Sequence, residues 1–184
     1  HRIKSMAENL DLLMTIYPFE VELFAKTNLT VKYTGNPLFE SVQQSLQSPA
    51  SQTFPKHFVS IFPGSRKGEI ERNLPIQLRA ATLLAQSYSD LNFGLSISHP
   101  GFTPIIEDII KKEFRVFSNK LTLFPQSDNY DAMKSSQIAI ATSGTIILEL
   151  ALHQTPTVVG YKLTKLNSFL ARYVFRIILK FYSI

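Results

Sequence analysis

The stretch HFVSIFPGSRKGEIERNLPIQLRAATLLAQSY, His57 to Tyr88, decides how the chain folds. His57 to Phe62 is a short apolar run of aromatic and β-branched residues and reads as a buried strand. Pro63-Gly64-Ser65-Arg66 then breaks the run. Beyond it, Ile70, Leu74, Leu78, Ala81, Ala85 and Tyr88 recur at helical spacing. A strand, a tight turn and a long helix in this order open a right-handed β-α-β unit.

The same alternation continues downstream. Phe93 to Ile97, Leu121 to Phe124, Ile138 to Ala141 and Thr157 to Tyr161 read as strands. Pro104 to Lys112, Asn129 to Ser135 and Thr145 to Leu152 read as the helices between them. The predicted class is α/β, with a parallel sheet and helices on both faces. Residues 57–161 would make nearly a complete Rossmann-like unit of five strands. Upstream, Leu10 to Tyr17 reads as a strand stopped by Pro18, and Val31 to Tyr33 as a shorter one. Residues 1–36 then resemble the last part of another α/β domain. Residues 37–56, rich in Gln and Ser and holding Pro37, Pro49 and Pro55, read as a linker.

Composition narrows the chemistry. The 184 residues are 45% hydrophobic and 18% charged, as expected of a globular chain with a real core. There is no cysteine, which excludes disulfides, thiolate zinc sites and a cysteine nucleophile. The net charge of +5 lies wholly in the last 35 residues, since 14 bases balance 14 acids up to Glu149. A protein that coats nucleic acid would be basic throughout, so nucleic acid is not an expected partner. The chain begins at His1 and stops in an apolar run, so both ends are expected to be cut.

Two turns have the residues of an anion site. In Pro63-Gly64-Ser65-Arg66, Gly64 lets the backbone approach a ligand and Arg66 presents a planar fork of donors suited to phosphate. Glu69 follows at the start of the helix, where the dipole favours its charge. The alternative is an ordinary β-α turn with a solvated arginine. In Ser143-Gly144-Thr145-Ile146-Ile147-Leu148-Glu149, a strand end again opens a helix, with free N–H groups and two hydroxyls. Glu149, one turn inside, can accept from the two hydroxyls of a ribose. The alternative is a plain N-cap, although Thr145 to Glu149 is four residues where a capping box needs three. Together the turns describe a nucleoside diphosphate site. Neither the ATPase loop nor the dinucleotide glycine motif is present. No Asp-x-Asp pair occurs, so the site is expected to be metal-independent, with Arg66 stabilising a leaving diphosphate. His1, His57, His99 and His153 have no metal-ligand spacing and read as structural or surface residues. Asp128 and Asp131 read as residues that cap and open a short helix.

Five motifs in order resemble the lipid-A-disaccharide synthases. They are Pro18-Phe19-Glu20, Pro63-Gly64-Ser65-Arg66 with Glu69, Ile70, Asn73, Leu74 and Pro75, Asp131-Ala132-Met133-x-x-Ser136, Ser143-Gly144-Thr145-x-x-Leu148-Glu149, and Pro156-Thr157-Val158-Val159-x-Tyr161. The family is similar to other GT-B glycosyltransferases, in which two Rossmann-like domains face each other. The resemblance implies inverting transfer of a 2,3-diacylglucosamine from UDP to 2,3-diacylglucosamine 1-phosphate, without a cofactor. It implies Gly64, Ser65, Arg66, Ser143, Gly144 and Thr145 at the phosphates, Glu149 at the ribose and Gln126, in the loop Pro125 to Ser127, near the uracil. It also implies a peripheral enzyme of the bacterial cytoplasm at the inner membrane, and leaves a homodimer open. Two positions depart from the family: Asn36 stands where a histidine is usual in Gly35-Asn36-Pro37, and Gln137 where an aspartate is usual. The general base would lie in the first domain, so no catalytic base is named. Other GT-B UDP-sugar enzymes, such as the peptidoglycan N-acetylglucosaminyltransferase or the UDP-sugar 2-epimerases, and a non-catalytic nucleotide-binding module remain as alternatives.

In the last segment, Leu166, Leu170, Tyr173, Val174, Ile177, Ile178 and Phe181 fall on one helical face, with Lys165, Arg172, Arg176 and Lys180 beside it. A basic amphipathic helix over 162–184 suits an anionic membrane surface. It suits equally a helix packed on the sheet or on a second subunit.

Overall fold

A computed structural model describes residues 2–163. His1 and residues 164–184, which include most of the expected basic helix, lie outside the described residues. The chain divides into two compact units, residues 1–47 and 48–184.

The first unit runs α1 (Arg2–Asn9), β1 (Leu12–Thr15), α2 (Pro18–Leu23), β2 (Thr30–Tyr33) and α3 (Pro37–Gln47). β1 and β2 pair in parallel, from Leu12 opposite Thr30 to Thr15 opposite Tyr33. Pro18 stops the strand as expected and serves as the first residue of α2. The Tyr17 N–H donates to the Glu20 carboxylate at 3.0 Å, which explains the Pro-Phe-Glu order. The linker expected over 37–56 is corrected in its first half, because Pro37–Gln47 is helical. Its proline begins the helix, the Asn36 side chain accepts from the Leu38 N–H at 3.0 Å, and Val42 is buried. The Gln and Ser residues occupy the solvent side. Asn36, the departure from the family pattern, is thus a helix cap here.

The second unit holds five parallel strands: β3 (Phe58–Phe62), β4 (Asn92–Ile97), β5 (Leu121–Pro125), β6 (Ser136–Ala141) and β7 (Thr157–Val159). Their order is β5-β4-β3-β6-β7, the doubly wound arrangement that reverses direction between β3 and β6. Four helices connect them: α4 (Lys67–Ser87), α5 (Thr103–Glu113), α6 (Asn129–Ser135) and α7 (Ile146–Leu152).

β3 is the centre of the sheet and every residue in it is buried. Its side chains alternate between two cores, as strand geometry requires. Val59 and Ile61 pack with Ile70, Leu74, Leu78, Ala81 and Ala85 of α4 and with Ile106 and Ile109 of α5. Phe58 and Phe62 pack on the other side with Ala132 and Met133 of α6 and Leu150 of α7. The helical spacing read from Ile70 to Ala85 is therefore the buried stripe of α4. Gly94 in β4 leaves room for the Phe58 ring, because a Cβ there would collide with the ring carbons.

Candidate functional site

Ligands of such sheets bind beyond the carboxyl ends of the strands, at the point where the strand order reverses. Both candidate turns lie there. The Thr142 N–H donates to the Phe62 carbonyl at 2.9 Å, so the β3 turn and the β6 turn start from one hydrogen-bonded junction. Between them is a pocket of about 320 Å³. Gly64, Ser65, Arg66, Gln126, Ser143, Gly144, Thr145 and Glu149, all named from sequence, line this single cavity.

The first turn depends on Gly64, whose φ of +111° is one that other residues rarely adopt. A Cβ there would also lie 2.9 Å from the Glu69 carboxylate. That carboxylate reaches back into the turn. It accepts from Arg66 Nη1 at 2.7 Å and from the Ser65 N–H at 3.3 Å. Glu69 therefore does more than favour the helix dipole: it organises the loop and holds the guanidinium at the rim of the pocket. The Arg66 side chain is 81% exposed, and its other guanidinium nitrogens have no protein partner among the described residues.

At the second turn, Gly144 has φ +156° and open space where a Cβ would lie. Backbone can thus be approached closely at that point. Thr145 precedes the helix α7 but its side chain makes no capping bond, leaving the hydroxyl available to the cavity. Glu149, half-buried one turn below, has its pKa raised by burial. Tyr130 is raised too, by burial and by the nearby Glu149 charge. The Glu149 carbonyl lies 2.8 Å from His153 Nδ1, which must be the protonated nitrogen because a carbonyl only accepts. Burial lowers the His153 pKa, the Glu149 carbonyl opposes this, and the Lys134 charge adds to it.

Several lining residues had no sequence signal. Ser96 Oγ donates to Asn129 Oδ1 at 2.7 Å, joining β4 to α6 on the pocket floor. Ser98 has a buried hydroxyl without a partner among the described residues. Single serines and asparagines at strand ends are too common to stand out, and only the strand order brings them together.

The other candidates fall elsewhere. Asp131 stands in the first turn of α6, and its side chain does more than open the helix: its Oδ2 accepts from the Ser51 N–H (2.8 Å), the Ser51 hydroxyl (2.8 Å) and the Gln52 N–H (3.0 Å), and its Oδ1 pairs with Lys134 at 2.8 Å. Burial pushes this carboxyl up, but the bonds from Lys134, Ser51 and Gln52 outweigh it and hold it at about 2. Asp128 precedes α6 without a side-chain capping bond. Gln137 contacts His57 Nδ1 at 3.0 Å on the surface, and His99 Nδ1 accepts from the Gly101 N–H at 3.0 Å. Among the described residues no three His, Cys, Asp or Glu side chains are grouped to hold a metal.

A family model described as lipid-A-disaccharide synthetase matches residues 1–184. A lipid-A-disaccharide synthase of Chlamydia pneumoniae is 39% identical over 188 residues, covering 100% of this chain and 30% of the relative. That of Chlamydia muridarum is 37% identical, with the same two coverages. A Francisella philomiragia synthase is 30% identical over 96% of this chain and 47% of its own length. The chain thus spans about a third to a half of these relatives. Among solved structures, the S. aureus MnaA-UDP co-structure has a TM-score of 0.66 at 17% identity, covering 91% of this chain and 47% of that one. A Listeria monocytogenes structure assigned as a UDP-N-acetylglucosamine 2-epimerase has a TM-score of 0.64 at 13% identity, covering 90% and 46%. At such identities these structures speak for the GT-B-type Rossmann-like fold alone.

Proposed function

The chain belongs to the lipid-A-disaccharide synthetase family, and from that premise we propose that its second unit is the donor half of a glycosyltransferase of lipid A synthesis. The reaction passes a 2,3-diacylglucosamine from its UDP derivative to 2,3-diacylglucosamine 1-phosphate, giving lipid A disaccharide 1-phosphate and UDP with inversion. One observation supports this above others. Two turns separated by about 80 residues of sequence line one pocket at the β3–β6 reversal, with a half-buried carboxylate at its wall.

In this reading the Ser65 N–H, the Arg66 guanidinium and the Ser143-Gly144-Thr145 turn receive the diphosphate. Gly64 and Gly144 let backbone come close to its oxygens. Charge builds on the diphosphate as the sugar leaves, and Arg66 offsets it without a metal ion. Glu149 accepts from the ribose hydroxyls, and Gln126 lies at the base. No residue of this chain is assigned as the general base. The Arg66–Glu69 pair means that Arg66 must swing, or share itself, when a diphosphate enters.

Calorimetric titration with UDP and ADP tests the site. UDP should bind more tightly than ADP, and Arg66→Ala and Glu149→Ala should each weaken it about tenfold or more, as expected for charge-assisted bonds. Equal affinity for the two nucleotides, or no loss in either variant, would refute the assignment.

The synthase reading also places the protein on the cytoplasmic face of the bacterial inner membrane. The sequence pattern of residues 163–184 supports contact with anionic lipid, and no described helix is long and apolar enough to cross a bilayer. Co-sedimentation with phosphatidylglycerol vesicles should fall when residues 163–184 are removed. Equal sedimentation with and without them would reject the contact.

A further inference from the structure

One side chain that never reaches the pocket surface joins the two turns at their roots. Gln77, three turns into α4, is 5% exposed. Its Nε2 donates to the Phe62 carbonyl at 3.3 Å and to the Thr142 hydroxyl at 3.2 Å. Phe62 is the last residue of β3, immediately before Pro63-Gly64-Ser65-Arg66. Thr142 follows the last residue of β6, immediately before Ser143-Gly144-Thr145. A planar amide NH₂ directs its two hydrogens at a fixed angle, so holding both acceptors fixes their separation.

The bonding pattern argues against a purely stabilising role. Gln77 Oε1 is buried and has no partner among the described residues. A buried orphan acceptor is a cost to folding. A methionine would fill nearly the same volume without that cost, yet it would remove the side-chain link that Gln77 adds, at the point where the turns begin, to the ladder pairing of Phe62 opposite Ala141 and the Thr142 N–H bond to Phe62. The glutamine therefore trades stability for geometry at the place where the two turns diverge.

We infer that Gln77 is a positioning residue that sets the spacing of the two turns so that both reach one diphosphate. The inference rests on the donor-site reading above. It extends that reading by naming a residue remote from the ligand on which affinity depends.

Gln77→Met in the whole chain tests it through three readouts: melting temperature, UDP affinity by calorimetry, and amide hydrogen exchange at Ser65, Arg66, Gly144 and Thr145. The melting temperature should hold or rise. The Kd for UDP should rise about tenfold, the low end of what outer-sphere partners contribute at metal sites. Exchange at the four turn amides should quicken while that of Val59 and Ile61 in β3 stays unchanged. Gln77→Asn, which keeps the amide but is one methylene too short to reach, should weaken UDP similarly and serves if the methionine variant does not fold. A double cycle with Thr142→Val should show that most of the loss is shared between the two positions. A lowered melting temperature with unchanged Kd and turn exchange would make Gln77 a plain core residue and overturn the inference while leaving the donor site intact. Failure of the unaltered chain to bind UDP would instead overturn the donor-site reading. Turn exchange would then still decide whether Gln77 braces the two turns.

Discussion

Asp131→Asn measures how strongly α6 grips the segment that leads into β3. Asp131 is buried and receives three bonds on Oδ2 from Ser51 and Gln52, with Lys134 on Oδ1. Asparagine can turn its single carbonyl oxygen to the Ser51 and Gln52 side and keep those bonds in neutral form. Its NH₂ then faces the Lys134 ammonium, and the charge that strengthened all four contacts is gone. The carboxyl stands at about 2 where 3.8 is ordinary. At about 1.36 kcal/mol per tenfold, that gap is worth roughly 2 kcal/mol. The Lys134 side chain is 21% exposed, which leaves some solvent screening, so a loss of about 1–2 kcal/mol is expected. The sign with pH follows from a carboxyl held low in the folded state. Its stabilisation is full above the unfolded pKa, near 4, and is lost as pH falls through about 2. Urea unfolding followed by circular dichroism at steps from pH 7 down to pH 2.5 reads this directly. The gap between wild type and variant should be widest above pH 4 and narrow steadily below it. A gap that is the same at pH 7 and pH 2.5, or under about 0.5 kcal/mol at pH 7, would refute the account.

Three other expectations follow from separate features. Gly94→Ala should destabilise by about 1–3 kcal/mol, because its methyl meets the buried Phe58 ring; the midpoint of urea unfolding checks this. Glu149→Gln should raise the melting temperature at pH 7 while weakening UDP. Burial raises this carboxyl, so the folded state favours its protonated form, and the penalty of ionisation appears as pH rises past the unfolded value. The two proteins should melt alike near pH 4, and a lower melting temperature for the variant at pH 7 would contradict the reading. Asn36→Ala should cost about 1 kcal/mol by loss of the α3 cap, seen as faster amide exchange at Leu38 and Phe39.

The strands were legible because a doubly covered parallel sheet makes them nearly continuous apolar runs. β3 is the clear case, with Phe58 to Phe62 wholly buried. Helix α4 was legible because one face of it meets the sheet over its whole length. Helix α3 was not, since Val42 is its one fully buried residue and the Gln and Ser around it have the composition of a linker. Helix α1 buries nothing fully and gave no pattern to read.

The candidate site divides in the same way. Gly64, Arg66, Gly144 and Glu149 could be named in advance, because a strand-end turn before a helix is a local event with few residue types that suit it. That these turns share a cavity depends on β6 lying beside β3, which is a property of the strand order and not of either segment. The same order gives Gln77 two partners, Phe62 and Thr142, which lie 15 and 65 residues from it in sequence and on opposite sides of it, so no local pattern relates the three. Asp131 likewise read only as an acid at the opening of a helix, because neighbours within a turn are the ones a pattern can see, yet it also binds Ser51 and Gln52 across about 80 residues of chain. Periodicity and turn chemistry act over one or two turns of backbone, so they specify elements and their ends. Which polar groups meet is decided only when the sheet is assembled, because burial then drives most of them to a partner on whichever element lies beside them.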